Sequence, residues 1–168
     1  LYSSSNNNQL INNTANSNGS GIYLYSSTNN TITNNNIWNC TNTNQGCFFF
    51  SDSSNNLVQG GLINFSAGNL IYLYNSAGEY GSDNNLFKDI ILLGSTKNDT
   101  YLDTVSGVGN LNNTFLNVSH NSSKEYVEAG SQLIRKWYYR AYLNDTAGIA
   151  VSSANVSAFN RTSAFEFN

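Results

Sequence analysis

The sequence predicts an all-β protein: a parallel β-helix of about five coils over residues 1–122, then a C-terminal β-hairpin or partial β-sandwich over residues 123–168. Two observations lead there. One is a composition hostile to helices, and the other is a pattern of short alternating stretches that recurs every 26 to 29 residues.

The chain of 168 residues holds 32 Asn, 23 Ser and 12 Thr, with no Pro, no Met and one His. Asn, Ser and Thr compete for backbone hydrogen bonds and disfavour helix interiors while favouring turns. Leu, Ile, Val and Phe together number 41, about 24% and above the ~20% below which a chain reads as disordered. Seven basic residues against ten acidic ones leave no positive excess for neutralising phosphates, so no nucleic-acid partner is expected. The longest aliphatic run, Ile90 to Leu93, falls far short of the ~20 residues of a membrane span. Neither a secretory signal nor an initiator Met opens the chain, so it reads as part of a longer or processed protein.

The repeat is explicit. Gly21-Ile22-Tyr23-Leu24-Tyr25-Ser26, then Asn29-Asn30-Thr31-Ile32, returns as Gly46-Cys47-Phe48-Phe49-Phe50-Ser51, then Asn55-Asn56-Leu57-Val58. It returns again as Leu70 to Tyr74 with Asn84-Asn85-Leu86-Phe87, and as Thr100-Tyr101-Leu102 with Asn112-Asn113-Thr114-Phe115. An incomplete first copy begins at Leu1 and reaches Leu10. Period-two alternation puts Ile22 and Leu24 on one face and the tyrosines on the other. Short strands recurring in register describe the coils of a solenoid. Alignment on the repeat predicts two inward files, Leu1, Leu24, Phe49, Leu73 and Leu102, and Leu10, Ile32, Val58, Phe87 and Phe115. The Asn-Asn pairs fit tight turns, because Asn tolerates left-handed backbone and its amide can pair with the next coil. Extra residues from Ser76 to Gly81 enlarge one turn.

The run Gly21 to Ile37, "GIYLYSSTNNTITNNNI", resembles the repeats of NosD-like surface proteins, a family frequent among archaeal secreted proteins. The resemblance covers about residues 1 to 120 and implies a right-handed parallel β-helix, a fold that hosts many unrelated functions. NosD proteins are linked to copper. Here one His, two Cys and no Met offer no ligand set, so no metal or other cofactor is expected. After Ser123 the repeat stops. The stretch Trp137 to Asn160 is similar to the opening hairpin of carboxypeptidase-regulatory-like β-sandwich modules, with strands at Lys136–Leu143 and Ile149–Phe159 around a turn at Asn144–Gly148. A lone hairpin is marginal in water, so it packs on the β-helix, pairs with another chain or continues beyond residue 168.

Twelve Asn-x-Ser/Thr triplets start at Asn12, Asn18, Asn29, Asn39, Asn64, Asn98, Asn112, Asn117, Asn121, Asn144, Asn155 and Asn160. They are either N-glycan acceptors or by-products of an Asn-rich turn ladder. Asn29 and Asn112 sit in the Asn-Asn turn, where the ladder competes for the side chain. Asn39, Asn98, Asn121 and Asn144 read as exposed loop positions and better acceptors. Cys40 and Cys47 bracket a polar loop and read either as a disulfide clamp or, with Cys47 in the place of Ile22, as a small buried residue.

Two outward aromatic files are expected, Tyr23, Phe48, Tyr72 and Tyr101 in one, and Tyr2, Tyr25, Phe50 and Tyr74 in the other. A stripe of that size marks an interface. It is covered by the aromatic stretch around Trp137 and Tyr139, by a neighbouring subunit, or by sugar. The acids read as scattered, with Asp52, Asp89 and Asp103 at three different coil positions, and Asp99 and Asp103 either sharing a face or forming a solvated loop pair. His120 reads as a surface turn residue, so no catalytic set is expected. These features describe an extracellular structural glycoprotein, a rod of a surface layer, filament or adhesin stalk that self-associates head to tail or joins other surface proteins. The alternative is a carbohydrate-binding or carbohydrate-cleaving β-helix.

Overall fold

The alternation of Ile22-Tyr23-Leu24-Tyr25 becomes a strand with both aliphatic side chains buried and both tyrosines half-buried on the outer side. The structure, a computed structural model, describes residues 1–16, 18–76, 80–139 and 143–152, with strand backbone at 158–159 and 165–167. It divides into two compact units, Leu1–Trp137 and Tyr138–Asn168.

The first unit is a parallel β-solenoid of about four turns, slightly fewer than the five expected. The incomplete first copy contributes only β1 (Gln9–Ile11), β2 (Thr14–Asn16) and an isolated bridge from Tyr2 to Tyr25. Successive coils then supply β3 (Ile22–Tyr25) and β4 (Thr31–Cys40), and β5 (Gly46–Ser51) and β6 (Leu57–Ser66). They continue with β7 (Asn69–Tyr74), β8 (Leu86–Lys88) and β9 (Ile91–Ser95). β10 (Thr100–Leu102) follows, then a small hairpin of β11 (Thr104–Val105) and β12 (Val108–Gly109), and β13 (Asn113–Leu116). The last coil holds β14 (Glu125–Val127) and β15 (Leu133–Lys136).

One parallel sheet runs β3-β5-β7-β10-β14, the other β1-β4-β6-β8-β13-β15, with β2 joining β4 and β9 joining β6. Parallel pairing therefore continues beyond residue 122, because β10 and β13 offer strand edges that β14 and β15 fill in register. Of the strand expected at Lys136–Leu143, Lys136 ends β15 and Trp137–Tyr139 carry no strand, while residues 140–142 fall outside the described residues. In the second unit the expected turn is present: Asp145 N–H donates to Ile149 O at 2.9 Å and Val151 N–H to Leu143 O at 2.8 Å. β16 (Ala158–Phe159) and β17 (Phe165–Phe167) pair antiparallel. Of the strand expected at Ile149–Phe159, residues 149–152 hold only an isolated antiparallel bridge from Ala150 to Asn144, and residues 153–157 fall outside the described residues.

Two apolar files fill the solenoid. Leu10, Ile32, Val58, Phe87 and Phe115 stack as expected. The other file keeps Leu24, Leu73 and Leu102 as expected and corrects β5 alone by one residue: Leu24 pairs with Phe50, then Leu73, Leu102 and Val127, while Ile22 pairs with Phe48 and Ile71. Phe48 and Phe50 are thus buried inside, Phe49 points outward, and Phe48, not Cys47, takes the place of Ile22. A slip of one residue reverses every facing in a strand. Three consecutive phenylalanines carry no alternation to resist it.

Each Asn-Asn corner divides its labour. The first residue, Asn7, Asn29, Asn55, Asn84 or Asn112, holds a left-handed backbone with φ between 54° and 60°. The second is a rung. Asn8, Asn30, Asn56 and Asn85 each donate backbone N–H and side-chain amide to the Oδ1 of the equivalent Asn one coil on, at 2.9 to 3.1 Å, ending at Asn113. A parallel series links Ser27 to Ser53, Ser82, Asn110 and Ser131 by backbone N–H to side-chain oxygen. Both series satisfy turn N–H groups that burial would otherwise orphan. They are in step again at Ser82, beyond the enlarged turn. At the next corner Gly61 (φ +95°) is required, since a Cβ there would meet the backbone O of Asn35 at 2.2 Å.

Candidate functional site

The outer face of the β3-β5-β7-β10-β14 sheet gathers most of the residues expected to matter. Tyr23, Phe49, Tyr72, Tyr101 and Tyr126 form one file, with ring centroids 4.9, 5.2, 4.7 and 5.4 Å apart in succession. Tyr2 stacks on Tyr25 at 4.8 Å, and Tyr74 leans on both Phe49 and Tyr72. The expected members Phe48 and Phe50 are absent from this face because they are in the core. Phe49, which the sequence reading placed inside, is its centre. A shallow groove of about 350 Å³ runs beside Tyr23, Tyr25, Phe49, Tyr72 and Tyr74.

The rings pack on one another, some stacked and the rest tilted or edge-on. Phe49, between Tyr23 and Tyr72, is only 5% exposed, whereas the terminal rings Tyr2 and Tyr126 are 67% and 54% exposed. Stacked aromatics on adjacent strands stabilise the sheet beyond their area burial. Trp137 closes the first unit 65% exposed, beside Ile91 and Val118, and Tyr139 in the second unit is 64% exposed.

Two acids missed as a pair border this face. Asp103 follows Leu102 and Glu128 follows Val127, two residues paired across adjacent strands, so the carboxylates occupy equivalent positions in successive coils. Asp103 accepts Tyr72 Oη–H at 3.1 Å, Asn75 N–H at 3.0 Å and the Asn110 amide at 3.1 Å. Glu128 accepts the Tyr101 hydroxyl and, at 2.8 Å, Thr104 N–H. Burial first, with a smaller contribution from Glu128, raises the Asp103 carboxyl above its ordinary range despite the hydrogen bonds that pull it down. Burial, then the neighbouring carboxylates, push both tyrosine hydroxyls upward. The signal was present in the spacing of Asp103 and Glu128 from their strands, but it could be used only once β14 was recognised as a coil.

His120 and Asp99 also differ from expectation. His120 Nε2 lies 3.0 Å from Glu125 Oε2, both side chains are nearly buried, and the imidazole packs edge-on against Phe115. Arg135 closes the group with a two-pronged contact on Glu125, its Nε–H donating at 2.8 Å. Asp99 is buried rather than solvated, accepting the Ser95 hydroxyl at 2.6 Å and Asn121 N–H at 2.7 Å. No group of three or more His, Cys, Asp or Glu among the described residues could hold a metal ion.

Cys40 and Cys47 are joined by a disulfide, with Cα atoms 5.5 Å apart, and both are buried. Of the Asn-x-Ser/Thr positions, Asn12, Asn18, Asn29, Asn39, Asn112, Asn117, Asn121 and Asn144 are exposed and Asn64 and Asn98 half-buried; Asn155 and Asn160 lie outside the described residues. Asn39 stands within β4 and Asn98 is not in an exposed loop, because its amide donates to Asn69 Oδ1 at 3.0 Å. No helix among the described residues is long and apolar enough to cross a membrane.

Fold and face together define a parallel β-solenoid with side-chain ladders inside and out. Compared with protein-family models, with curated proteins and with solved structures, the chain matches none.

Proposed function

We propose that this chain is a structural segment of an extracellular glycoprotein, a β-helical rod of the kind that builds a surface layer, filament or adhesin stalk. The observation that carries the reading is the aromatic file, whose rings pack on one another from coil to coil. A sugar-stacking platform needs open ring faces, and Phe49 at 5% exposure has none to offer. Side-chain ladders, a core disulfide suited to an oxidising compartment, and the acceptor triplets support the same reading. So does the resemblance of residues 21–37 to NosD-like repeats of archaeal secreted proteins. Its partners in this reading are other surface proteins or copies of itself, and N-linked glycans.

One observation favours a second reading, a carbohydrate-binding or carbohydrate-cleaving β-helix: Asp103 and Glu128 stand in register beside the aromatic file, bonded to Tyr72 and Tyr101. Affinity electrophoresis of the chain through a panel of soluble polysaccharides separates the two. The structural reading expects no retardation. Retardation that Tyr72→Ala abolishes, or release of reducing ends that Glu128→Gln abolishes, would replace it with the second.

A further inference from the structure

The acceptor triplets are not equivalent once folded. A glycan-bearing Asn must present its amide to solvent, and the hydroxyl two residues on must be reachable. Asn64 and Asn98 fail this test, since both are half-buried and their partners Ser66 and Thr100 are fully buried. Asn39 donates its amide to Asn16, and Asn117 to Asp89. Asn121 caps a short 3-10 turn, accepting both N–H and hydroxyl of Ser123. The hydroxyl serving Asn18, that of Ser20, is already engaged, donating to Gln45.

The corners behave differently. Asn12, Asn29 and Asn112 hold left-handed backbone with φ of 57°, 57° and 54°. All three are exposed, and their side chains make no hydrogen bond among the described residues. The inter-coil bond belongs to the following Asn at each corner: Asn13 donates to Asn35, Asn30 to Asn56, and Asn113 accepts from Asn85. The hydroxyl residues Thr14, Thr31 and Thr114 lie in strands, exposed or half-buried. Competition from the ladder, which made Asn29 and Asn112 poor candidates in the sequence, therefore falls on their neighbours.

We infer that Asn12, Asn29 and Asn112 are the N-glycan acceptors of the solenoid. This rests on the glycoprotein reading and says where on the fold the sugar stands. The donor is an oligosaccharide carried on a lipid phosphate or pyrophosphate. Asn Nδ2 forms the bond to sugar C1, the C1–O bond to phosphate breaks, the lipid phosphate leaves, and the amide gives up one proton and keeps one. Asn29 and Asn112 occupy the same corner three coils apart, about 14 Å at the spacing of paired strands, so their sugars form a row along one edge.

The chain secreted by a eukaryotic cell line is to be treated with peptide-N-glycosidase in heavy-oxygen water and mapped by peptide mass spectrometry. Label at Asn12, Asn29 and Asn112, with Asn18, Asn39, Asn64, Asn98, Asn117 and Asn121 bare, is the expected result. Thr14→Val, Thr31→Val and Thr114→Val should each remove one glycan from the intact mass without altering the circular dichroism. Bare corners with label at the other solenoid positions overturn this inference and leave the glycoprotein reading standing. An absence of label throughout the chain overturns both.

Discussion

Arg135 and Glu125 meet at the inward positions of the last coil. Arg135 pairs with Phe115 in the file that begins at Leu10, and Glu125 pairs with Thr100 in the file that begins at Ile22. Where the preceding coil places Phe115 and the buried, uncharged Thr100, this one places an ion pair with His120 beside it. Polar terminal repeats keep a solenoid core from presenting an open apolar end. At this end charge stands beside the apolar Val127 and Leu133, a poorer template for a further apolar coil than the coils before it.

The cap has a pH signature. Burial raises Glu125, but the hydrogen bonds from Arg135 and His120 outweigh it and hold the carboxyl below its ordinary value. A depressed carboxylate contributes stability that is present above the unfolded value, about 4.3, and is lost as pH falls through the folded one. Thermal melts should change little for this group between pH 7 and pH 5 and fall more steeply in wild type than in Glu125→Gln below about pH 4. Arg135→Ala, which leaves Glu125 buried beside His120 alone, should cost about 1 to 3 kcal/mol at neutral pH.

Asp103 tilts the other way. Its folded value is raised, chiefly by burial, so its contribution is full below the unfolded value of about 3.9 and is lost as pH rises through the folded one. Asp103→Asn should be no less stable than wild type at pH 8 in urea titrations, with wild type gaining on it as pH falls. A variant that loses ground at pH 8 would show that the ionised carboxylate is favoured where it stands.

At the Asn55-Asn56 corner the two residues should answer differently to the same change. Asn56→Ala removes a buried rung bonded to both neighbouring coils and should cost roughly 3 kcal/mol. Asn55→Ala loses only tolerance of positive φ and should cost about 1 kcal/mol, while Asn55→Gly should be close to neutral. Equal losses at the two positions would contradict the division of roles.

Phe49 and Phe50 test the register directly. Phe50→Ala empties a core position between Leu24 and Leu73 and should cost about 3 to 5 kcal/mol. Phe49→Ala breaks outward ring stacking and should cost about 1 to 2 kcal/mol. The reverse order in denaturant unfolding would restore the register that the repeat alone suggests.

That register was more legible than it seemed. The Asn pairs at 29–30 and 55–56 are 26 residues apart, and Ile22 plus that interval is Phe48, not Cys47. Measuring from the ladder Asn instead of the preceding Gly would have found it, because the rungs pin the corner while the loop before each strand varies. The left-handed corners, the inward file from Leu10 to Phe115 and the Cys40–Cys47 bond were all readable, since each rests on chemistry local to a few residues.

The sequence by itself determined the period, the turn chemistry and the apolar alternation, all of which act over the few residues where backbone preference is decided. Only the tertiary structure decided which side chains meet across coils. His120, Glu125 and Arg135 converge, Asp103 and Glu128 come into register, and Phe49 lies between two tyrosines because coil closure sets partners that are neighbours in space and strangers in sequence. A one-residue difference in loop length changes those partners without changing any local preference.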